Sequence, residues 1–134
     1  MKILIINDDP STTDLLLLML TPTQATIQCV DNGMDGLVLI KRTNPDIVLI
    51  DLMTLEQDGW IITSQIREFS SVPILILSVF DNPGIVAKTL DMGADDYLIK
   101  PVPRETLLAH INNLMRRKKS SGQPTQITVT PQIA

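Results

Sequence analysis

Five short apolar runs recur along the chain, and their even spacing constrains the fold more than any other feature. They occupy residues 3–7, 26–30, 46–51, 73–78 and 96–99. Successive runs begin 20 to 27 residues apart, which leaves room between them for a loop and a helix of about three turns. The first, third and fourth runs lack polar alternation, as is typical of parallel strands buried on both faces. The chain therefore predicts an α/β fold with an open parallel sheet and helices on both of its faces.

The segments between these runs have the apolar periodicity of helices. In the first segment, residues 15–20 form an apolar block that we expect to supply the buried face. In the third segment, Ile62, Ile66 and Phe69 recur at helical spacing. Aromatic residues make up only 3% of the chain, so the core is expected to consist of aliphatic side chains and methionine.

The composition excludes several classes of protein. Cys29 is the only cysteine, which excludes an internal disulfide and a cysteine metal cluster, and we expect it to be buried on the second strand. The longest apolar run near the start, residues 15–20, is far too short to span a membrane. Together these features predict a cytoplasmic protein that does not associate with membranes.

The distribution of charge separates the body of the chain from its end. Residues 1–103 carry six basic and fourteen acidic side chains, a net charge of −8, whereas residues 104–119 have a net charge of +4. An acidic body disfavours direct binding of nucleic acid by this chain. Residues 120–134 are uncharged and rich in Ser, Gly, Pro, Gln and Thr. We therefore expect one domain over residues 1–119, followed by a flexible tail or the start of an interdomain linker.

Polar residues stand where the predicted strands end. The first run ends in Asn-Asp-Asp at positions 7–9, the third in Asp51 and the fourth in Ser78, and Lys100 follows the fifth. Because the carboxyl ends of parallel strands meet at one edge of the sheet, these side chains are expected to converge there. Clustered carboxylates repel each other unless a cation intervenes, and a few oxygen ligands suit Mg²⁺ better than Ca²⁺ or Zn²⁺.

The predicted cluster is suited to phosphoryl chemistry. A metal ion and an ammonium group neutralise phosphoryl oxygens, and a hydroxyl can donate a hydrogen bond to one of them. The sequence contains neither of the common glycine-rich nucleotide motifs, and the obvious nucleophile is a carboxylate. Taken alone, however, Asp8 and Asp9 are as well explained by a solvated turn or by the N-cap of the helix that Pro10 opens.

The same residues give the chain a resemblance to the receiver domain of two-component response regulators, from Met1 to about Arg117. The resemblance rests on Asp8-Asp9, Asp51, Asp58-Gly59, Ser78 and the run Gly-Ala-Asp-Asp-Tyr-Leu-Ile-Lys-Pro at 93–101. It implies a flavodoxin-like (βα)5 three-layer sandwich whose five parallel strands lie in the order 2-1-3-4-5. It also implies a protein that is not an enzyme, except in promoting its own phosphorylation and dephosphorylation.

The resemblance assigns a role to each residue of the cluster. Asp51 would accept a phosphoryl group from the histidine of a sensor kinase or a phosphotransfer protein. Asp9 and Asp51 would bind Mg²⁺ directly, together with the backbone carbonyl of Met53, and Asp8 would act largely through water. Lys100 would pair first with Asp51 and then with the phosphoryl group.

The resemblance also implies a conformational switch. Ser78 would move to bond a phosphoryl oxygen, and Tyr97 would then rotate inward and remodel the face formed by the fourth helix, fifth strand and fifth helix. The Lys100–Pro101 bond is expected to be cis, as it is in the family.

Some residues depart from the family pattern around the acceptor. Thr54-Leu55 stands where the family usually has Met-Pro, so the loop after Asp51 lacks a rigidifying proline. Val79 stands where the family favours Ala, and Phe80 replaces a residue that is often polar. A β-branched residue at position 79 is expected to crowd the phosphoryl group and to alter the kinetics of a competent receiver.

The last helix resembles receivers that precede a winged-helix DNA-binding domain, which makes transcription the expected output. Such receivers dimerise on phosphorylation through the same switching face. Lys88 and Asp96 occupy plausible pairing positions there, whereas His110 replaces the usual Arg. Because imidazole is mostly neutral at pH 7, we expect a weak or pH-dependent homodimer.

Two alternatives remain open on the sequence alone. One is a pseudo-receiver that acts as an interaction module without phosphorylation, which Leu55 and Val79 favour weakly. The other is a metal-dependent hydrolase that uses the same carboxylates, although the chain has no insertion that could build a substrate pocket.

Overall fold

The computed structural model describes residues 1–53 and 58–120, with the backbone alone for residues 119 and 120. Five parallel strands form one sheet in the order β2-β1-β3-β4-β5, which confirms the predicted fold class and strand order. The strands are β1 (Lys2–Asn7), β2 (Thr26–Val30), β3 (Ile47–Asp51), β4 (Ile74–Ser78) and β5 (Asp96–Ile99). The described helices are α1 (Pro10–Leu20), α2 (Gly33–Thr43), α3 (Trp60–Arg67), α4 (Pro83–Asp91) and α5 (Arg104–Ser120), with a 3₁₀ turn at Thr21–Thr23.

Two apolar layers cover the sheet because side chains along each central strand alternate between its faces. One layer packs α1 and α5 against residues such as Ile3, Ile5 and Leu49. The opposite layer packs α2 and α3 against residues such as Leu4 and Ile50. Strands β3 and β4 are buried along their whole length, as expected for central strands without polar alternation.

The first helix buries only part of its predicted apolar block. Leu16 and Leu20 are buried, whereas Leu15 and Leu18 are 57% and 71% exposed. Six consecutive helical residues turn through well over one full circle, so they cannot all face the core. The block at 15–20 therefore overstates the buried face of α1.

Two further expectations about burial are wrong. Cys29 is exposed, because β2 is an edge strand of the sheet. Phe69 lies beyond the end of α3 and is 41% exposed, with the Lys41 ammonium 4.7 Å from the centre of its ring. The helical stripe that Ile62 and Ile66 begin thus ends one turn before Phe69.

The amino-terminal edge of the sheet is tied together by Arg67 at the end of α3. Its guanidinium donates hydrogen bonds to the carbonyls of Ser70, Val72 and Gly93 and to the Asp95 carboxylate. Gly93 has a φ of 121°, and a Cβ there would lie 2.6 Å from Cγ of Arg67. Glycine is therefore required at this position both by conformation and by the close approach of Arg67.

Two expectations concern residues that lie outside the described part of the chain. The tail or linker over residues 120–134 is one of them, except that the backbone of Ser120 ends α5. The departure at Thr54-Leu55 is the other. No helix within residues 1–53 or 58–120 combines the length and the apolar character that a membrane crossing requires.

Candidate functional site

The carboxyl-terminal edge of the sheet brings together an acid, a base and a hydroxyl. Asp51 and Ser78 are the last residues of β3 and β4, and they are only 5% and 3% exposed. Lys100 follows β5, and its Nζ lies 2.6 Å from Oδ1 of Asp51. The predicted convergence of these three strand ends is thus present in the fold. The Lys100–Pro101 peptide bond is cis, as expected.

Asp51 sits in an environment that disfavours its ionised form. Burial raises the pKa of its carboxyl above the ordinary 3.8, and the charges of Asp8 and Asp9 push in the same direction. The hydrogen bond and the charge of Lys100 act in the opposite direction and lower this pKa. Oδ2 of Asp51 is buried and has no hydrogen-bond partner within the described residues. Asp51 therefore combines one neutralised oxygen with one that is free to react or to bind a cation.

Asp8 faces the loop that follows β3. Its two carboxylate oxygens accept hydrogen bonds from the backbone N–H of Met53 at 3.3 and 3.2 Å. Met53 lies two residues after Asp51, so this contact holds the Asp8 carboxylate beside the end of β3. Residues 54–57, which come next in the chain, lie outside the described residues.

Asp9 has the other role that its sequence position allowed, the N-cap of α1. Its Oδ1 accepts hydrogen bonds from the backbone N–H and the hydroxyl of Ser11, and its Oδ2 accepts one from the Thr12 hydroxyl. These bonds, with the Ser11 hydroxyl first, lower the pKa of Asp9. Within the described residues, no group of three acidic, histidine or cysteine side chains could hold a metal ion. Asp9 is thus engaged in capping α1, although its charge still acts on Asp51.

Asn7 lies beside Asp51, although no role at the site was predicted for it. The two residues are register partners on the adjacent strands β1 and β3. Asn7 is 3% exposed, and its Oδ1 accepts a hydrogen bond of 2.9 Å from the backbone N–H of Asp9. Its Nδ2 is buried and, within the described residues, has no hydrogen-bond partner. The available signal was its position as the last residue of the first apolar run.

The two predicted switch residues meet at the peptide groups of Phe80. The backbone N–H of Phe80 donates to Oγ of Ser78 at 3.1 Å, and the Tyr97 hydroxyl donates to the Phe80 carbonyl at 2.7 Å. Tyr97 is half-buried, and this burial raises the pKa of its phenol. Val79 lies between these contacts with its side chain 67% exposed. The loop after β4 thus links the hydroxyl at the site to the aromatic residue on β5.

The predicted dimer face contains a pair formed within the chain. His110 Nδ1 contacts a carboxylate oxygen of Asp96. Lys88 lies with its ammonium 5.7 Å from the centre of the Trp60 ring. Trp60 also donates a hydrogen bond of 2.7 Å from its indole nitrogen to the buried hydroxyl of Thr89, which joins α3 to α4.

The donor atoms at this edge fit a small, hard cation. Asp8 supplies carboxylate oxygens, and the buried Oδ2 of Asp51 has no competing hydrogen bond from any residue that the structure describes. Carboxylate and carbonyl oxygens are the ligands that Mg²⁺ prefers, and it usually needs only one or two carboxylates from the protein. The residues present are therefore compatible with Mg²⁺.

Comparison of the chain with known proteins identifies a family and several relatives. A family model described as "Response regulator receiver domain" matches residues 3–112. The chain is 34% identical over 129 residues to the transcriptional activator protein IrlR of Burkholderia pseudomallei, a match that spans 96% of this chain and 55% of that protein. It is 36% identical over 129 residues to the transcriptional regulatory protein KdpE of Staphylococcus aureus, with the same two shares. The chain thus spans about half the length of the curated relatives it matches.

A solved structure with the same fold holds a metal ion. It is the receiver domain of the sensor histidine kinase PA1611 from Pseudomonas aeruginosa PAO1, with a magnesium ion coordinated in its active-site cleft. The TM-score is 0.77 and the identity 26%, and the match spans 86% of this chain and 97% of that one.

Proposed function

The chain belongs to the response regulator receiver domain family, and from that membership we propose that Asp51 is its phospho-acceptor. The observation that supports this most is the pair of Asp51 and Lys100, 2.6 Å apart at the carboxyl edge of the sheet. The ammonium neutralises one carboxylate oxygen while Oδ2 of Asp51 has no partner among the described residues. A buried carboxylate held in this way is a suitable nucleophile for phosphorus.

The phosphoryl donor is the phosphohistidine of a sensor kinase or a phosphotransfer protein. One oxygen of Asp51 forms a bond to phosphorus as the P–N bond of the donor breaks. The imidazole leaves with that electron pair and takes up a proton, and Asp51 becomes an aspartyl phosphate. Lys100 pairs with the Asp51 carboxylate before the transfer and with the phosphoryl oxygens after it.

Asp8, Asp51 and the backbone carbonyl of Met53 are the groups that would hold Mg²⁺. When bound, Mg²⁺ supplies positive charge that offsets the negative charge of the phosphoryl oxygens. Asp9 contributes through its charge and through its cap on α1 rather than as a direct ligand. The proposal differs at Asp9 from the ligand set that the family resemblance implies.

The signal passes from Asp51 through the loop that follows β4. The Ser78 hydroxyl leaves the backbone N–H of Phe80 and donates to a phosphoryl oxygen. The Phe80 peptide then shifts, and Tyr97 loses the carbonyl that its hydroxyl bonds. Tyr97 turns inward, so phosphorylation at the sheet edge changes the face formed by α4, β5 and α5.

The switching face is the proposed site of a phosphorylation-promoted homodimer, and transcription is the proposed output. Leu90 and Ile99 leave apolar area exposed on this face, at 40% and 47%. The contact of His110 with Asp96 inside one chain competes with any pairing of Asp96 across the dimer. Dimerisation is therefore expected to be weak unless phosphorylation moves β5 or α5.

Intact mass spectrometry after incubation with acetyl phosphate tests the proposal. We expect one added phosphoryl group on the wild type with Mg²⁺, and none without Mg²⁺ or on Asp51→Asn. Asp14→Asn is the matched control, because Asp14 is an exposed carboxylate on α1. An adduct on Asp51→Asn would contradict the assignment. The absence of both an adduct and a response to beryllofluoride on the wild type would favour the interaction module that needs no phosphorylation.

A further inference from the structure

Asn7 is a buried polar residue at the site, and its amino group is not satisfied by any residue that the structure describes. It is the last residue of β1 and the register partner of Asp51 on β3. Register partners on adjacent parallel strands lie about 4.8 Å apart and direct their side chains to the same face of the sheet. Asn7 is 3% exposed, and its Nδ2 has no hydrogen-bond partner within the described residues. Buried donors of this kind are rare in folded proteins and call for an explanation.

The orientation of the Asn7 amide is fixed by its other branch. The backbone N–H of Asp9 donates to Oδ1 of Asn7 at 2.9 Å. A backbone N–H can only donate, so the branch that meets it must be the amide oxygen. The remaining branch is therefore the amino group, and position 7 offers the site a donor rather than an acceptor.

The neighbouring Asp51 lacks a partner of the opposite kind. Its Oδ1 is paired with Lys100, whereas its Oδ2 is buried without a hydrogen bond among the described residues. A phosphoryl group on this carboxylate brings further acceptor oxygens and added negative charge to the same place. An N–H donor is complementary to those oxygens and is unfavourable towards a cation.

We propose that Nδ2 of Asn7 donates a hydrogen bond to the phosphoryl group on Asp51. Asn7 is then a phosphoryl-binding residue, and the side-chain ligands of Mg²⁺ are limited to the carboxylates of Asp8 and Asp51. This inference rests on the proposed function, since it requires phosphorylation of Asp51. With Asn at position 7, the site carries one negative charge fewer than it would with a carboxylate there.

Two substitutions at position 7 separate the effect of losing the hydrogen-bond donor from the effect of adding a negative charge. Asn7→Asp keeps an oxygen for the Asp9 N–H but replaces the donor with an acceptor and adds a charge. Asn7→Ala removes the donor without adding charge. Asn112→Asp is the matched control for charge, because Asn112 is exposed on α5.

The measurements are the affinity for Mg²⁺, from the rise in melting temperature with the metal alone, and the affinity for beryllofluoride at saturating Mg²⁺. We expect both Asn7 variants to bind beryllofluoride about tenfold or more weakly, since a hydrogen bond to a charged group is lost. Only Asn7→Asp should bind Mg²⁺ more tightly than the wild type. Asn112→Asp should match the wild type in both measurements.

The outcomes distinguish this inference from the proposed function. If both Asn7 variants bind beryllofluoride within about twofold of the wild type, the donor role of Asn7 is overturned. If only Asn7→Asp loses affinity, the effect is one of charge, and the donor role is again overturned. If the wild type itself does not respond to beryllofluoride, the proposed function fails as well. Should the added carboxylate prevent Asn7→Asp from folding, the neutral Asn7→Ala still decides the question.

Discussion

The two ends of the third strand hold carboxylates of opposite character. Asp51, the last residue of β3, is buried, and burial raises the pKa of its carboxyl. Asp46, just before the strand begins, has a pKa that is lowered, chiefly by the backbone N–H of Lys2, which donates to it at 2.7 Å. Lys118 of α5 adds a contact of 3.2 Å to Asp46. One strand thus carries an acid that opposes folding at one end and an acid that supports folding at the other.

The wider surroundings of these two acids differ in the same way. At the amino edge, the polar groups around Arg67 and Asp95 are joined by hydrogen bonds and an ion pair. At the carboxyl edge, Asn7 and Asp51 each have a buried polar atom that finds no hydrogen-bond partner in residues 1–53 and 58–118. The polar groups of the amino edge therefore stabilise the sheet, whereas those of the carboxyl edge are left available for a ligand.

The largest expected change in the free energy of unfolding comes from the loss of Arg67. Arg67→Met removes the donor for three carbonyls and for Asp95, and unfolding free energy should fall by about 3 kcal/mol. Urea denaturation measures this value. Arg104→Met is the control, since Arg104 is exposed and forms a long ion pair of 3.7 Å with the exposed Glu105. Equal stability of the two variants would show that the amino edge does not carry the stability assigned to it.

Neutralising Asp51 should have a smaller effect of the opposite sign. Without Mg²⁺, Asp51→Asn is expected to raise the unfolding free energy at pH 7 by about 1 kcal/mol, because the unfavourable burial of a charge is removed. The folded pKa of Asp51 lies above the unfolded value, so the wild type gains stability as the pH falls through it. The gap between variant and wild type should therefore close as the pH approaches 3.8. A variant that is less stable at pH 7 would contradict this balance.

The effect of Asp46 on stability should depend on pH in the opposite direction from that of Asp51. Asp46→Asn should lower unfolding free energy at pH 7 by about 0.5–1 kcal/mol, since the contacts from Lys2 and Lys118 weaken. The folded pKa of Asp46 lies below 3.8, so its contribution is complete above that pH and is lost only as the pH falls further. Urea denaturation of the variant and wild type between pH 7 and 2.5 should show the gap closing below pH 3.8. Closure at a higher pH would remove the contrast with Asp51.

The smallest expected effect on stability is at Val79, where the kinetics should change instead. Val79→Ala should leave unfolding free energy within about 0.5 kcal/mol, because the side chain is 67% exposed. Removing the β-branched side chain should speed phosphorylation by acetyl phosphate, as followed by intact mass over time. Exposed Val38→Ala on α2 is the control. An unchanged rate would mean that Val79 does not crowd the acceptor.

Much of the fold and part of the site follow from the sequence. The apolar runs place all five strands to within one residue at each end. The runs of β1, β3 and β4 are continuous because these strands are buried on both faces. The convergence of Asp51 and Lys100 follows from strand ends that share one edge, whereas their pairing was implied by the family resemblance. The prediction of a cis bond before Pro101 came from the family resemblance rather than from any pattern of burial.

The remaining features depend on geometry that no local pattern encodes. Which residue of Asn-Asp-Asp at 7–9 faces Asp51 is decided by sheet register, and a shift of one residue exchanges the faces. The contacts of Trp60 with Thr89 and of His110 with Asp96 join residues far apart in the chain. The exposure of Cys29 follows from the edge position of β2, which strand spacing alone does not reveal.

The assignment of Asp51 as the phospho-acceptor is best tested by locating the phosphoryl group chemically. Reduction of an aspartyl phosphate with borohydride converts that residue to homoserine, which peptide mass mapping identifies. After treatment with acetyl phosphate and Mg²⁺, the wild type should carry homoserine at position 51 and retain Asp8 and Asp9 unchanged. Homoserine at position 8 or 9, or a phosphoryl group that borohydride does not reduce, would contradict the assignment of Asp51 as the acceptor.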